Sequence, residues 1–118
     1  MTKEDAWKLA KDWVAAWNDH DLDRIMTHYE RDIALISPIA AQLLQIEGGK
    51  IEGNEKLRAY FERGLKAYPD LHFSLEDVLC GVNSVVLCYK NQQGTHVAEF
   101  MELSPSGKVA RVVANYGV

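Results

Sequence analysis

Cysteine is scarce in this chain: Cys80 and Cys88 are its only two, and they lack metal-ligand spacing. They read as buried thiols of a reducing cytoplasm rather than as a disulfide. Basic surplus is missing as well, since 13 Lys and Arg stand against 17 Asp and Glu, for a formal charge of −4. A nucleic-acid partner is therefore not expected, because a phosphate-binding face needs excess cation, and no run of Lys and Arg overrides the average. No apolar run approaches the roughly 20 residues that span a bilayer, so no membrane partner is expected. The opening "MTKEDAWKLAKDW" is charged and amphipathic and lacks a signal peptide's apolar core, which points to the cytoplasm. No glycine loop for phosphate is present. His20, His28, His72 and His96 form neither a helical i, i+4 pair nor an H-x-H strand pair beside an acid. No metal and no cofactor are expected, and the histidines are assigned to solvent or to a subunit face.

What is present suits one domain spanning residues 1–118, long enough to bury a real core. Apolar residues at 47% and charged residues at 25% place it among ordinary globular chains. Thr2 and Asp5 make a capping-box pattern before a helix. In that helix Trp7, Ala10, Val14 and Trp17 recur at helical spacing, beside a second stripe of Leu9, Trp13 and Ala16. So wide an apolar face is either covered on two sides or covers a cavity. Asp21 can cap a second, short helix carrying Leu22, Ile25, Met26 and Tyr29. "DIALIS" reads as a strand stopped by Pro38. Residues 39–53 contain a Gly-Gly turn, with "IAAQLLQI" open to a helix, a strand or a flap. Asn54 caps a helix whose Leu57, Phe61, Leu65 and Tyr68 share a face, with Tyr60 and Gly64 beside them, before Pro69.

After Pro69 the period changes to two. "LHFSLEDVL", "SVVLCYKN", "THVAEFMEL" and "KVARVVANY" read as strands joined by short turns, hence antiparallel neighbours. Helices followed by such a run predict an α+β domain. Within "HVAEFMEL", alternation puts Val97, Glu99, Met101 and Leu103 on one face. Glu99 is the only acid on that apolar face. Buried there, it would lose hydration and its pKa would rise. The bland alternative pairs it with Arg58, Arg111 or a backbone amide, or points it to water.

The phrases "AWNDHDLDRIMTHYERDIALISP", "IEGNEKLRAYF" and "SGKVARVVANYG", in this order, resemble the SnoaL-like and ketosteroid isomerase-like branch of the nuclear transport factor 2-like superfamily. The resemblance runs from about Ala6 to Gly117. It implies a cone-shaped barrel, in which a curved, mainly antiparallel sheet wraps N-terminal helices around one deep apolar pocket. It also implies a homodimer through the sheet's outer face. There Arg111, Val113 and Asn115 would lie next to His96, Ala98 and Phe100. The same cone hosts isomerases, polyketide cyclases, epoxide hydrolases, dehydratases and binding modules without activity, so function has to come from the pocket.

In the isomerase-like members the general base sits just before a proline at the end of the first strand. That place is held here by Ser37, which cannot act as a carboxylate base, so a standard ketosteroid isomerase is not expected. The tyrosine donor of the first helix corresponds to Trp13, whose indole donates but does not titrate as a phenol does. With Val109–Tyr116 as the final strand, the acid that donates to the developing oxyanion corresponds to Glu99, the catalytic candidate. Trp13, Trp17, Ser37, Tyr60, Val112 and Tyr116 are the expected pocket residues. For the tryptophans, core packing is the competing assignment; for Ser37, it is a simple turn hydroxyl. The expected function is a cofactor-independent isomerase, cyclase or hydrolase acting on a small apolar carbonyl or epoxide compound. The alternative is a small-molecule binding or dimeric assembly module without turnover.

Overall fold

Thr2 Oγ1 accepts from the Asp5 N–H at 3.0 Å, and Asp5 Oδ2 accepts from the Thr2 N–H at 3.3 Å. This capping box starts α1 (Lys3–Asn18) in the computed structural model, which describes Met1–Val118. The helix buries Ala6, Ala10, Trp13, Val14, Ala16 and Trp17, the wide stripe seen in the sequence. Asp21 caps α2 (Leu22–Met26) by accepting from the Arg24 N–H at 3.2 Å. Tyr29 does not continue α2. It opens β1 (Tyr29–Ile36) instead, because its backbone pairs with Val109 in a parallel ladder while the Thr27 hydroxyl closes the helix onto the Arg24 carbonyl.

The segment left open in the sequence holds a helix, a 3-10 turn and a strand. Ser37 caps α3 (Pro38–Leu44), and a 3-10 turn at Glu47–Gly49 leads into the short β2 (Lys50–Glu52). Gly49 adopts φ +61°, and a Cβ there would stand 2.2 Å from the Ser37 carbonyl oxygen. Glycine is therefore required where the turn folds back on Ser37. The final helix, α4 (Asn54–Ala67), is capped by Gly53 at φ +91°, and Asn54 is its first helical residue rather than its cap.

Four strands follow: β3 (Ser74–Cys80), β4 (Ser84–Lys90), β5 (His96–Leu103) and β6 (Val109–Tyr116). With β1 and β2 they form one six-stranded sheet in the order β2-β1-β6-β5-β4-β3. Only β1 and β6 run parallel; every other pair is antiparallel. The sheet curls about the helices, so that α1 lies against β3 and α4 against β1 and β2. The expected α+β architecture is what the chain adopts.

Three local expectations need correction. Leu71–Phe73 do not extend β3. Asn18 takes the place of a neighbouring strand there: its Nδ2 donates to the Phe73 carbonyl at 2.9 Å, and its Oδ1 accepts from the Phe73 N–H at 2.7 Å. His20, assigned from sequence to solvent or a subunit face, is partly buried and holds the same segment, with Nε2 2.8 Å from the Leu71 carbonyl oxygen. Nor are the thiols buried: Cys80 is exposed near the β3–β4 turn, and Cys88 is half-buried on the outer face of β4. Alternation sends Leu87 and Tyr89 inward, so Cys88 between them points out.

Candidate functional site

The inner sheet face and the helices leave a cavity of about 110 Å³. A water occupies about 30 Å³ of the liquid, and an engineered apolar cavity of about 150 Å³ admits benzene. In this conformation the space suits a molecule of few heavy atoms, well short of a fused-ring steroid. Helix α1 supplies Trp13 and Trp17, β1 supplies Tyr29 and Leu35, and α4 supplies Tyr60, Phe61 and Gly64. The segment pinned by Asn18 and His20 contributes Leu71 and Phe73. Tyr89, Val97, Glu99, Ala114 and Tyr116 come from β4, β5 and β6, and Asn91–Gln93 from the β4–β5 turn.

Glu99 is the only ionisable group on this wall that is not a phenol. It is 7% exposed. The pairings that would make it ordinary are taken elsewhere, since Arg58 binds Asp23 at 2.6 Å and Arg111 binds Glu102 at 2.8 Å. Its protein partner is the Tyr89 hydroxyl, which donates to Oε2, and Oε1 takes no protein hydrogen bond. Burial pushes the Glu99 carboxyl up from 4.5 to about 7, against the opposing pull of the Tyr89 hydrogen bond. Near neutral pH such a group is divided between acid and carboxylate, the condition under which one residue can both give and take a proton.

The phenols stay neutral around it. Burial, and then the charge of Glu99, raise Tyr89 well above the ordinary phenol value. Tyr29 and Tyr116 are raised for the same two reasons, and Tyr60 is pushed up to about 12, chiefly by burial. The nearby Ser37 hydroxyl opposes the rise at both Tyr60 and Tyr116. Trp13 Nε1 donates to the Tyr29 hydroxyl at 2.9 Å, which fixes the ring and satisfies the indole. Two buried polar atoms remain without partners on this wall, the Trp17 indole nitrogen and Gln92 Oε1. Buried groups of this kind call for a partner that the chain does not provide.

Of the residues singled out from sequence, Trp13, Trp17, Ser37, Tyr60, Glu99 and Tyr116 all line this cavity. Val112 does not. It is fully buried in the core, and Ala114, the next inward residue of β6, reaches the cavity in its place. Ser37 is 4% exposed and carries two roles, because its Oγ also accepts from the Ile39 N–H at 3.1 Å as the cap of α3. Tyr89 was missed. The signal lay in the alternation of "SVVLCYKN", where Val85, Leu87 and Tyr89 share a face; the β4–β5 register sets Leu87 opposite Glu99 and Tyr89 one inward position away. No group of three or more His, Cys, Asp or Glu stands close enough to hold a metal ion.

With this fold and cavity in view, the chain belongs to the SnoaL-like domain family, whose model matches residues 10–115. It is 33% identical to a SnoaL-like protein of unknown function from Burkholderia thailandensis E264, over 100% of this chain and 99% of that one, with a TM-score of 0.94. A protein from Agrobacterium tumefaciens C58, provisionally named an isomerase of the SnoaL-like family, superposes at TM-score 0.77 with 17% identity. The alignment covers 98% of this chain and 99% of that one. A provisionally named SnoaL-like polyketide cyclase from Shewanella denitrificans OS-217 superposes at 0.75 with 16% identity, covering 98% and 91%. At those identities the last two show the fold alone. No curated protein matches the chain. No helix is long and apolar enough to cross a membrane.

Proposed function

We propose that this protein exchanges a proton between Glu99 and a small apolar carbonyl or epoxide compound held in the cavity, as a cofactor-independent isomerase, cyclase or hydrolase. The observation that carries this reading is the environment of Glu99: buried, without a cation, steadied through Oε2 by Tyr89, and with Oε1 unengaged. As the acid, Glu99 would donate to the ligand oxygen as negative charge develops there; as the carboxylate, it would take a proton from a neighbouring carbon. Tyr116 and Tyr60 would orient the oxygen. Ser37 would serve them as a hydrogen-bond partner, not as a base.

A panel of small ketones and epoxides tests this. Turnover should fall by about 100-fold or more in Glu99→Gln, the usual weight of a positioned acid or base. A carbon NMR titration should place the Glu99 carboxyl near pH 7. An ordinary glutamate value would sink the proton-transfer reading and leave that of a binding module without turnover.

We further propose a homodimer through the sheet's outer face. Ile36, Val113, Phe100 and Val86 lie in one cross-strand row over β1, β6, β5 and β4, all apolar and all half-exposed. A continuous apolar row of this kind marks an association surface. Sedimentation at micromolar concentration should show dimer for the natural chain and monomer for Phe100→Glu. A monomer in both would refute the proposal.

A further inference from the structure

The cavity's polar and aromatic groups suit a small cation as well as a neutral ligand. Its wall is largely aromatic, with Trp13, Trp17, Tyr60, Phe73, Tyr89 and Tyr116 presenting rings. Several rings stand close together: Phe73 lies 4.3 Å from Tyr89 and 5.6 Å from both Trp13 and Trp17, centroid to centroid. No Lys, Arg or His lines the space, so the Glu99 carboxylate has no counter-charge. The titratable groups that face it are phenols from every side: Tyr29 on β1, Tyr60 on α4, Tyr89 on β4 and Tyr116 on β6. An unpartnered acceptor, Gln92 Oε1, and an unpartnered donor, the Trp17 indole N–H, lie on the same wall, where a ligand hydroxyl could meet either.

Aromatic faces attract cations through the ring quadrupole, and most effectively when the cation is desolvated. A buried, unpaired carboxylate attracts them too. Methylated ammonium ions are weakly hydrated, so they lose little on entering a dry box, whereas a primary ammonium gives up a much stronger hydration shell. An ion of this kind also has the few heavy atoms that about 110 Å³ admits. We propose that the cavity binds a small methylated ammonium compound, with its positive nitrogen against the aromatic faces and its charge neutralised by Glu99. The inference rests on the reading of this cavity as a small-molecule site, and it adds a charged ligand class to the neutral one proposed above.

Choline and 3,3-dimethyl-1-butanol make the test. They share a shape and differ in the charge on the central atom. Calorimetry at pH 7 should show choline bound at least about tenfold more tightly, a ratio between those that an exposed and a desolvated cation–aromatic contact add. With the carboxyl pushed up to about 7, binding should also release about half a proton, read from the dependence of the heat on the buffer's ionisation enthalpy. Glu99→Gln should lose the proton release and the part of the choline preference that the carboxylate supplies, while still binding the alcohol, which shows that the cavity remains folded.

Equal affinities, or a preference for the alcohol, would overturn the inference. If that happened while Glu99 still titrated near 7 and the alcohol bound, the proton-transfer reading would stand. If Glu99 titrated as an ordinary glutamate and neither compound bound, both readings would fall.

Discussion

Replacing Glu99 with glutamine is expected to stabilise the protein above pH 7 by roughly 3 kcal/mol and to leave it nearly unchanged near pH 4.5. In the folded chain burial pushes this carboxyl up from 4.5 to about 7. Between those values the folded protein keeps a proton that the unfolded chain has released. Stability therefore falls as pH rises through this window and levels off above it. Glutamine carries no charge to desolvate, and its side-chain oxygen can still accept from the Tyr89 hydroxyl. The penalty disappears with the carboxylate. Urea denaturation of both proteins at pH 4.5 and pH 8 checks this. His28, lowered by its own burial, adds a pH dependence of its own, but the difference between the two proteins cancels it. Parallel profiles would mean that water or a cation reaches Glu99. A site that gives up stability to keep a carboxyl dry is what a proton-transfer or cation-binding role requires.

Trp13→Ala should cost about 3–5 kcal/mol, a large share of the roughly 5–15 kcal/mol that holds a domain of this size. Trp13 is 1% exposed. Its ring stacks on Phe73 at 5.6 Å and 18°, meets Tyr89 at 5.6 Å and Trp17 at 6.0 Å, and donates to Tyr29 at 2.9 Å. The substitution removes the ring and also strips the buried Tyr29 hydroxyl of its donor. Trp13→Phe separates the two effects. It keeps most of the packing and loses the hydrogen bond, for about 1–3 kcal/mol. Denaturant midpoints give both values. A loss under about 1 kcal/mol for the alanine variant would show that the neighbouring rings close over the gap and that Trp13 is not a structural wall of the cavity.

The two variants bear on how the site arises. The broad, indole-bearing face of α1 and the acid on an apolar strand face were legible as broken local patterns, and the resemblance to the family added that Trp13 and Glu99 belong to its pocket. Tyr89 follows its pattern faithfully, so nothing in its own strand marked it. Its role depends on which residue of β5 stands across from it, and that register is a fact of pairing between strands. Phe73 and Leu71 were read as strand residues because alternation alone cannot see that Asn18, 55 positions away, would cap the backbone at Phe73. Val112 and Ala114 share one face of β6, and only the helices above the sheet decide which of them meets core and which meets cavity.

By itself the sequence determined the first two helices, α4, β1 and the last four strands to within a few residues, and the family, because periodicity and capping act over a few residues, while residues 39–53 stayed open. It also singled out one acid on an otherwise apolar strand face, with an ion pair or solvent as the competing assignment. Only the tertiary structure decided that this acid has no cation partner, that a phenol from the next strand holds one of its oxygens, and that about 110 Å³ of aromatic-walled space faces it. The reason is physical: charge pairing and cavity volume are set by side chains that converge from α1, α4 and four strands, and no local pattern encodes the gap left where they meet.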